Sequence, residues 1–120
     1  MMIAQIQKIK KKIGISGVLS EEFAWIAKGN DESRGAQIDL VIDRRDHVID
    51  LCEIKYSERE FTIDKAYDRI LRNKREIFRE NTGTKKTVQL VLISTYGIKL
   101  NQYSSLISNQ VLLDDLFAET

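Results

Sequence analysis

No proline occurs among the 120 residues and glycine appears only six times, which excludes a Pro-rich, collagen-like or linker-dominated chain. The single cysteine, Cys52, excludes an internal disulfide framework. With only one histidine, His47, to join it, a Cys/His zinc site is excluded as well. Excess charge is also missing. Nineteen Lys and Arg face eighteen Asp and Glu, and a net charge of +1 leaves no polybasic coat or acidic tail, so any charged function must be local. No apolar run approaches the roughly 18–20 residues of a membrane span. The opening MMIAQIQKIKKK lacks the order of a secretory signal. Together these absences predict a soluble, cytoplasmic protein with no membrane partner. Neither GxxxxGK[ST] nor GxGxxG occurs, so the chain is not a complete P-loop ATPase.

What is present suits one domain over residues 1–120: 42% of the residues are hydrophobic, enough for a single core. Ile3, Ile6, Ile9 and Ile13 recur at helical spacing, and Gly14 supplies a stop. In the next segment Leu19, Phe23 and Trp25 alternate as in a strand, whereas Ser20-Glu21-Glu22 also suits a helix cap; the strand is the favoured reading, with these three apolar residues in the core. Residues 28–35 are dense in turn formers. Two β-branched runs, 36–43 and 47–55, flank the charged turn Arg44-Arg45-Asp46 and predict a hairpin, with His47 exposed beside the turn. From about Thr62 to Glu80 one face is apolar, and Asp68 is placed to pair with Arg72. Thr87–Ser94 reads as a buried central strand and Gln110–Leu113 as a second buried strand, while residues 96–108 carry no clear pattern. The expected fold class is α/β, a helix, three strands, a helix and one or two strands around a mixed sheet flanked by helices. A crossover through the long helix would set the fourth strand parallel to the third.

Strand residues two apart share a face, so Gln37 projects with Asp39, and Glu53 with Lys55. Charge in an apolar sheet is costly unless it is paired or binds a metal. Two carboxylates on adjacent strands, with the backbone carbonyl of Ile54, suit Mg²⁺ or Mn²⁺. A metal so placed can acidify water and stabilise charge on a scissile phosphate, and Lys55 can orient that water. An acid two residues before a lysine arises by chance about 1.6 times in this composition, so the tripeptide alone carries little weight. Its position does: Glu53-Ile54-Lys55 ends an apolar strand and follows Asp39 across the hairpin. The rival reading is structural, a Glu53–Lys55 salt bridge with Asp39 at a solvated edge.

Gly35-Ala36-Gln37-Ile38-Asp39-Leu40 followed by Cys52-Glu53-Ile54-Lys55-Tyr56 resembles the PD-(D/E)XK nuclease superfamily, with Asp39 as the first acid and Glu53-Ile54-Lys55 as the (D/E)-x-K. From about Ile3 to Phe117 the chain is similar to the nuclease-like domain at the C-terminus of bacterial and archaeal P-loop ATPases, through AQIDLVIDR, LCEIKYS, ISTYGIK and LLDDLF. The resemblance implies a restriction-endonuclease-like core and a Mg²⁺-dependent nuclease. Asp39 and Glu53 would bind the metal and Lys55 would assist the attacking water. It also implies nucleic acid, DNA in the first instance, as partner, together with an ATPase module absent from this chain; a homodimer is a further expectation. The alternative is an inactive nuclease-fold module that binds nucleic acid or its ATPase. Many superfamily members add an acid from the first helix, and Met1–Lys12 contains none. Glu21 or Glu22 would substitute only if the first strand turned one inward.

Other residues have both a functional and a plain reading. Gln37, Tyr67 and Lys74 are candidate substrate contacts; Tyr67 also lies on the apolar helix face, and Lys74 belongs to a basic half-helix with Arg69, Arg72, Arg75 and Arg79. Lys8, Lys10, Lys11 and Lys12 are candidate phosphate contacts or a solvated face. Cys52 should point away from Glu53 into the core, and Asp114 and Asp115 should cap a short terminal helix.

Overall fold

The structure, a computed structural model, describes residues 3–29 and 35–117. Helix α1 (Ile3–Lys12) is followed by strands β1 (Ser20–Ala27), β2 (Ala36–Arg44) and β3 (Val48–Lys55). Helix α2 (Lys65–Thr82) then leads to β4 (Thr87–Ser94), a 3-10 turn at Ser104–Leu106, β5 (Asn109–Leu112) and α3 (Leu113–Phe117). The five strands form one mixed sheet in sequence order. β1, β2 and β3 are antiparallel neighbours, whereas β4 runs parallel to both β3 and β5. The expected α/β architecture, with the fourth strand parallel to the third, is therefore present. The turn-rich stretch expected at 28–35 falls mostly outside the described residues.

Local chemistry fixes the helix ends. Gly14, at φ 80°, follows α1 as its sequence position suggested. Asp64 caps α2, its Oδ1 accepting from the Tyr67 backbone N–H at 2.8 Å, and Gly83 closes the helix in the left-handed region at φ 64° while donating to the Arg79 carbonyl. Asp68 accepts from Arg72 at 3.0 Å, as the i,i+4 spacing predicted. In the hairpin turn exposed His47 has φ 69°.

The sheet separates two apolar layers. On one face, Ile9 of α1 and Leu116 of α3 cover Leu40, Ile42, Cys52, Val91 and Ile93. On the other, Leu71 and Phe78 of α2 cover Ile38, Val41, Ile49, Leu51, Val88 and Leu90. Strand alternation thus turns Cys52 away from Glu53, and burial pushes its thiol pKa up. A smaller cluster, Ile63, Leu92 and Ile98 with Phe61 and Tyr103, gathers the segments on either side of β4; backbone bonds between Phe61 and Gly97 and between Lys99 and Phe61 tie them together.

Several expectations fail where edges replace interiors. Trp25 packs edge-on against Phe78, ring centroids 5.1 Å apart, but Phe23, on the edge strand β1, is 38% exposed and Leu19, in the segment just before it, 77%. Likewise β5 is a short edge strand in which only Val111 is buried. Lys10 is not on a solvated face: it is 5% exposed and its ammonium donates to the Val18 carbonyl at 2.7 Å, so it is not available to phosphate. Asp114 and Asp115 lie within the first turn of α3 rather than before it, with Asp115 3.6 Å from Lys12.

β3 also carries Asp50, fully buried, whose Oδ2 accepts from Arg44 at 3.0 Å while the same guanidinium binds Asp46 through two further bonds. Burial raises the Asp50 pKa, and Arg44 opposes this only in part. A raised value in the folded state means that this contribution to stability is complete below the ordinary carboxylate range and is lost as pH climbs through the raised value. Wild type should therefore lose stability relative to Asp50→Asn across that window in denaturant titrations, whereas a pH-independent difference would contradict the assignment. For the core, Phe78→Ala should cost about 3–5 kcal/mol by urea unfolding, since it empties the contact between α2, Trp25 and the sheet; a loss below about 1 kcal/mol would show that the layer is not packed as described.

Candidate active site

A bulge in β2 sets the position of Asp39. Phe23 pairs with Val41 and Trp25 with Ile38, so Asp39 and Leu40 together oppose Ala24 alone. Ile38 and Val41, three residues apart, consequently both reach the layer under α2, which strict alternation would not allow. On the other side of β2, the pairing with β3 runs from Asp43–Ile49 to Leu40–Cys52 and goes no further. Beyond that point the Asp39 carboxylate takes over the role of a backbone acceptor: its Oδ2 receives the Ile54 N–H at 2.9 Å. A side chain that would otherwise sit at a strand edge is thereby fixed beside the end of β3.

Glu53 and Lys55 leave β3 on the α2 face. Glu53 is 4% exposed, and its Oε1 accepts from the ammonium of Lys74, at the middle of α2. Burial raises the Glu53 pKa; Lys74 opposes the shift, and Asp39 reinforces it by charge and by side-chain hydrogen bonding. The two carboxylates thus share one pocket and act on each other electrostatically. Lys55 does not pair with Glu53. Its ammonium stands over the Tyr67 ring, 4.6 Å from the centroid, a cation–π arrangement. Phe61 braces that ring edge-on, centroids 5.2 Å apart. The buried Tyr67 hydroxyl has no hydrogen-bond partner among the described residues, and burial, with the charges of Glu53 and Asp39, pushes its pKa far above the usual phenol range.

Gln37, Asp39, Glu53, Ile54, Lys55, Tyr67 and Lys74 line one open pocket of about 300 Å³. The candidate metal and catalytic groups Asp39, Glu53, Ile54 and Lys55 and the candidate substrate contacts Gln37, Tyr67 and Lys74 all line it, whereas the α1 lysines offered as phosphate contacts do not. The structural salt bridge considered from sequence takes a different form, because Glu53 pairs with Lys74 and leaves Lys55 to the aromatic ring. Neither Glu21 nor Glu22 supplies a further acid. Glu21 is paired in register with Asp43 at the opposite end of β2 and binds exposed Arg45, while Glu22 lies opposite Ile42. Helix α1 packs on the far face of the sheet.

Two carboxylates that line one pocket with Ile54, whose carbonyl is a further oxygen donor, are hard ligands suited to an ion that keeps much of its water. Among the described residues no third Asp, Glu, His or Cys joins them. The donor set therefore fits Mg²⁺ or Mn²⁺ with several coordinated waters and not a fully protein-caged ion.

Neither the family models nor the curated proteins contain a match to this chain. Among solved structures there is a likeness to the crystal structure of a protein of unknown function, AF1548, with a TM-score of 0.57 and 12% sequence identity. It covers 90% of this chain and 56% of that one, so the chain spans little more than half the length of AF1548. At that identity the likeness concerns the fold alone. Among the described residues no helix is long and apolar enough to cross a membrane.

The Lys55–Tyr67 contact is open to direct measurement. Ring currents should shift the Lys55 side-chain methylene protons upfield in NMR spectra, a shift retained in Tyr67→Phe and lost in Tyr67→Leu. Unshifted Lys55 resonances in the wild type would dismiss the contact.

Proposed function

We propose that this chain is a divalent-metal-dependent nuclease domain that hydrolyses phosphodiester bonds in nucleic acid, DNA in the first instance. The observation that carries the reading is the convergence of Asp39, Glu53 and Lys55 on one pocket at the carboxyl end of β3, with the β2 bulge and the Asp39–Ile54 bond devoted to placing the first acid. Bulges are concentrated beside active sites, where they re-aim a side chain, and ligands of open α/β sheets bind beyond the carboxyl ends of strands.

Asp39, Glu53 and the Ile54 carbonyl are the groups that would hold Mg²⁺ or Mn²⁺. Bound there, the ion supplies Lewis acidity, lowering the pKa of a coordinated water and offsetting charge on the phosphate. Lys55, held by the Tyr67 ring instead of by a carboxylate, has its ammonium protons to direct toward the attacking water or a phosphate oxygen. Hydrolysis joins the water oxygen to phosphorus, breaks one ester P–O bond and delivers a proton to the departing alkoxide. Gln37 and Tyr67 line the same space as candidate contacts for the substrate. The resemblance to ATPase-linked nuclease-like domains supports a P-loop ATPase module as a working partner.

One observation favours a second reading, an inactive nuclease-fold module that binds nucleic acid or an ATPase. The Lys74–Glu53 pair already supplies the buried carboxylate with a cation. Calorimetric titration with Mn²⁺, and cleavage of plasmid, single-stranded and branched DNA, separate the two. The nuclease reading expects Mn²⁺ binding that Asp39→Ala abolishes, and cleavage that Lys55→Ala reduces by at least about a hundredfold. Metal binding without cleavage of any of these substrates would favour the inactive module. Absence of both would remove the metal-dependent reading.

A further inference from the structure

We infer that Lys74 is the site's own counter-ion, displaced from Glu53 when a divalent cation enters and then presented to a phosphate of the nucleic acid. This inference rests on the metal-dependent reading above and adds to it a coupling between cation and nucleic-acid binding.

The argument begins with charge. The pocket is lined by two carboxylates, Asp39 and Glu53, and two ammonium groups, those of Lys55 and Lys74, so its formal charge is balanced before any ion arrives. The lysines are not equivalent. Lys55 is held by an aromatic face, while Lys74 makes the hydrogen-bonded ion pair with the more buried carboxylate. Glu53 has a side-chain exposure of 5% and Lys74 of 25%, so the acid is fixed inside and the amine reaches it from the pocket side. A buried carboxylate needs a cation, and one supplied by a flexible four-carbon side chain can be exchanged for another.

A divalent ion on Asp39 and Glu53 would replace the neutralisation that Lys74 provides and repel its ammonium at short range. The released amine remains tethered to α2 beside the pocket, where a phosphate oxygen would be its next partner. Lys74 also lines an adjoining hollow of about 190 Å³ with Gly35, Ala36, Ile70, Asn73 and Ile77, so the side chain has space to turn into without leaving the site. By linkage, an ion that frees Lys74 strengthens nucleic-acid binding, and nucleic acid that holds Lys74 strengthens ion binding by the same factor.

Two measurements test this without relying on cleavage. In calorimetric titrations with Mn²⁺ alone, Lys74→Met should bind about tenfold more tightly than wild type, because the competing charge is gone. Lys74→Gln, which keeps a donor to Glu53 but no charge, should show the same direction, so the test stands if the Met variant does not fold. With a phosphorothioate DNA duplex as probe, Lys74→Met should weaken binding several-fold when Mn²⁺ is present and leave it unchanged when Mn²⁺ is absent. Equal Mn²⁺ affinities in wild type and both variants would overturn the counter-ion role while leaving the metal site standing. An equal loss of DNA affinity with and without Mn²⁺ would overturn the coupling. No Mn²⁺ binding by any of the proteins would remove this inference and the metal-dependent reading together.

Discussion

A carboxylate buried in a β-sheet must have a cation within reach, and the arrangement around Glu53 follows from that requirement. Glu53 lies one strand in from the β2 bulge and faces α2, where desolvation and the neighbouring Asp39 both work against its ionised form. The parallel connection from β3 through α2 to β4 lays a basic helix across this face of the sheet, so the topology that buries the acid also delivers Lys74 to it. Tyr67, two turns earlier on the same helix, then occupies the ground above Lys55. One helix thereby assigns each lysine a different partner.

β3 holds a second buried carboxylate, and the contrast is informative. Asp50 is answered by a planar guanidinium that shares its donors with Asp46, closing a compact cluster near the hairpin turn. Such a fork is rigid, and the cluster reads as structural. Glu53 is answered by a primary amine from the side of an open pocket, with another carboxylate lining the same pocket. The two acids sit three residues apart on one strand. The exchangeability of the partner, more than burial itself, separates the acid suited to ligand chemistry from the acid that fastens the sheet.

The order of elements was legible in the sequence because periodicity reports burial directly: β2, β3, α2 and β4 fall within a few residues of their apolar patterns. The placement of Asp39 near Glu53 was legible too, from alternation across a hairpin. What the sequence did not disclose depends on contacts between distant segments. Leu19 and Phe23 alternate as core residues do, yet nothing in that alternation says that β1 lies at the edge of the sheet. Lys10 stands among lysines that read as one solvated face, and only the fold of the following turn brings the Val18 carbonyl to it. The bulge at Asp39–Leu40 has no marker such as a glycine within those two residues. Lys74 was visible as a candidate substrate contact in a basic half-helix; its pairing with Glu53 spans 21 positions and appears once α2 is docked.

Near-neutrality of the whole chain bears on the proposed nuclease reading, since phosphate affinity is largely electrostatic. The relevant charge is local and depends on occupancy. With two acids and two amines around it, the pocket offers no net attraction to phosphate on its own. A divalent ion held by the same two acids would change the local sum by two and release an ammonium in the same event. Attraction for a polyanion would then be strong only when the site is ready for chemistry, and weak otherwise. A domain built this way needs no basic coat of its own, and a partner module can supply the sustained grip on the nucleic acid. In this reading the modest overall charge follows from a site whose affinity is switched by its ion.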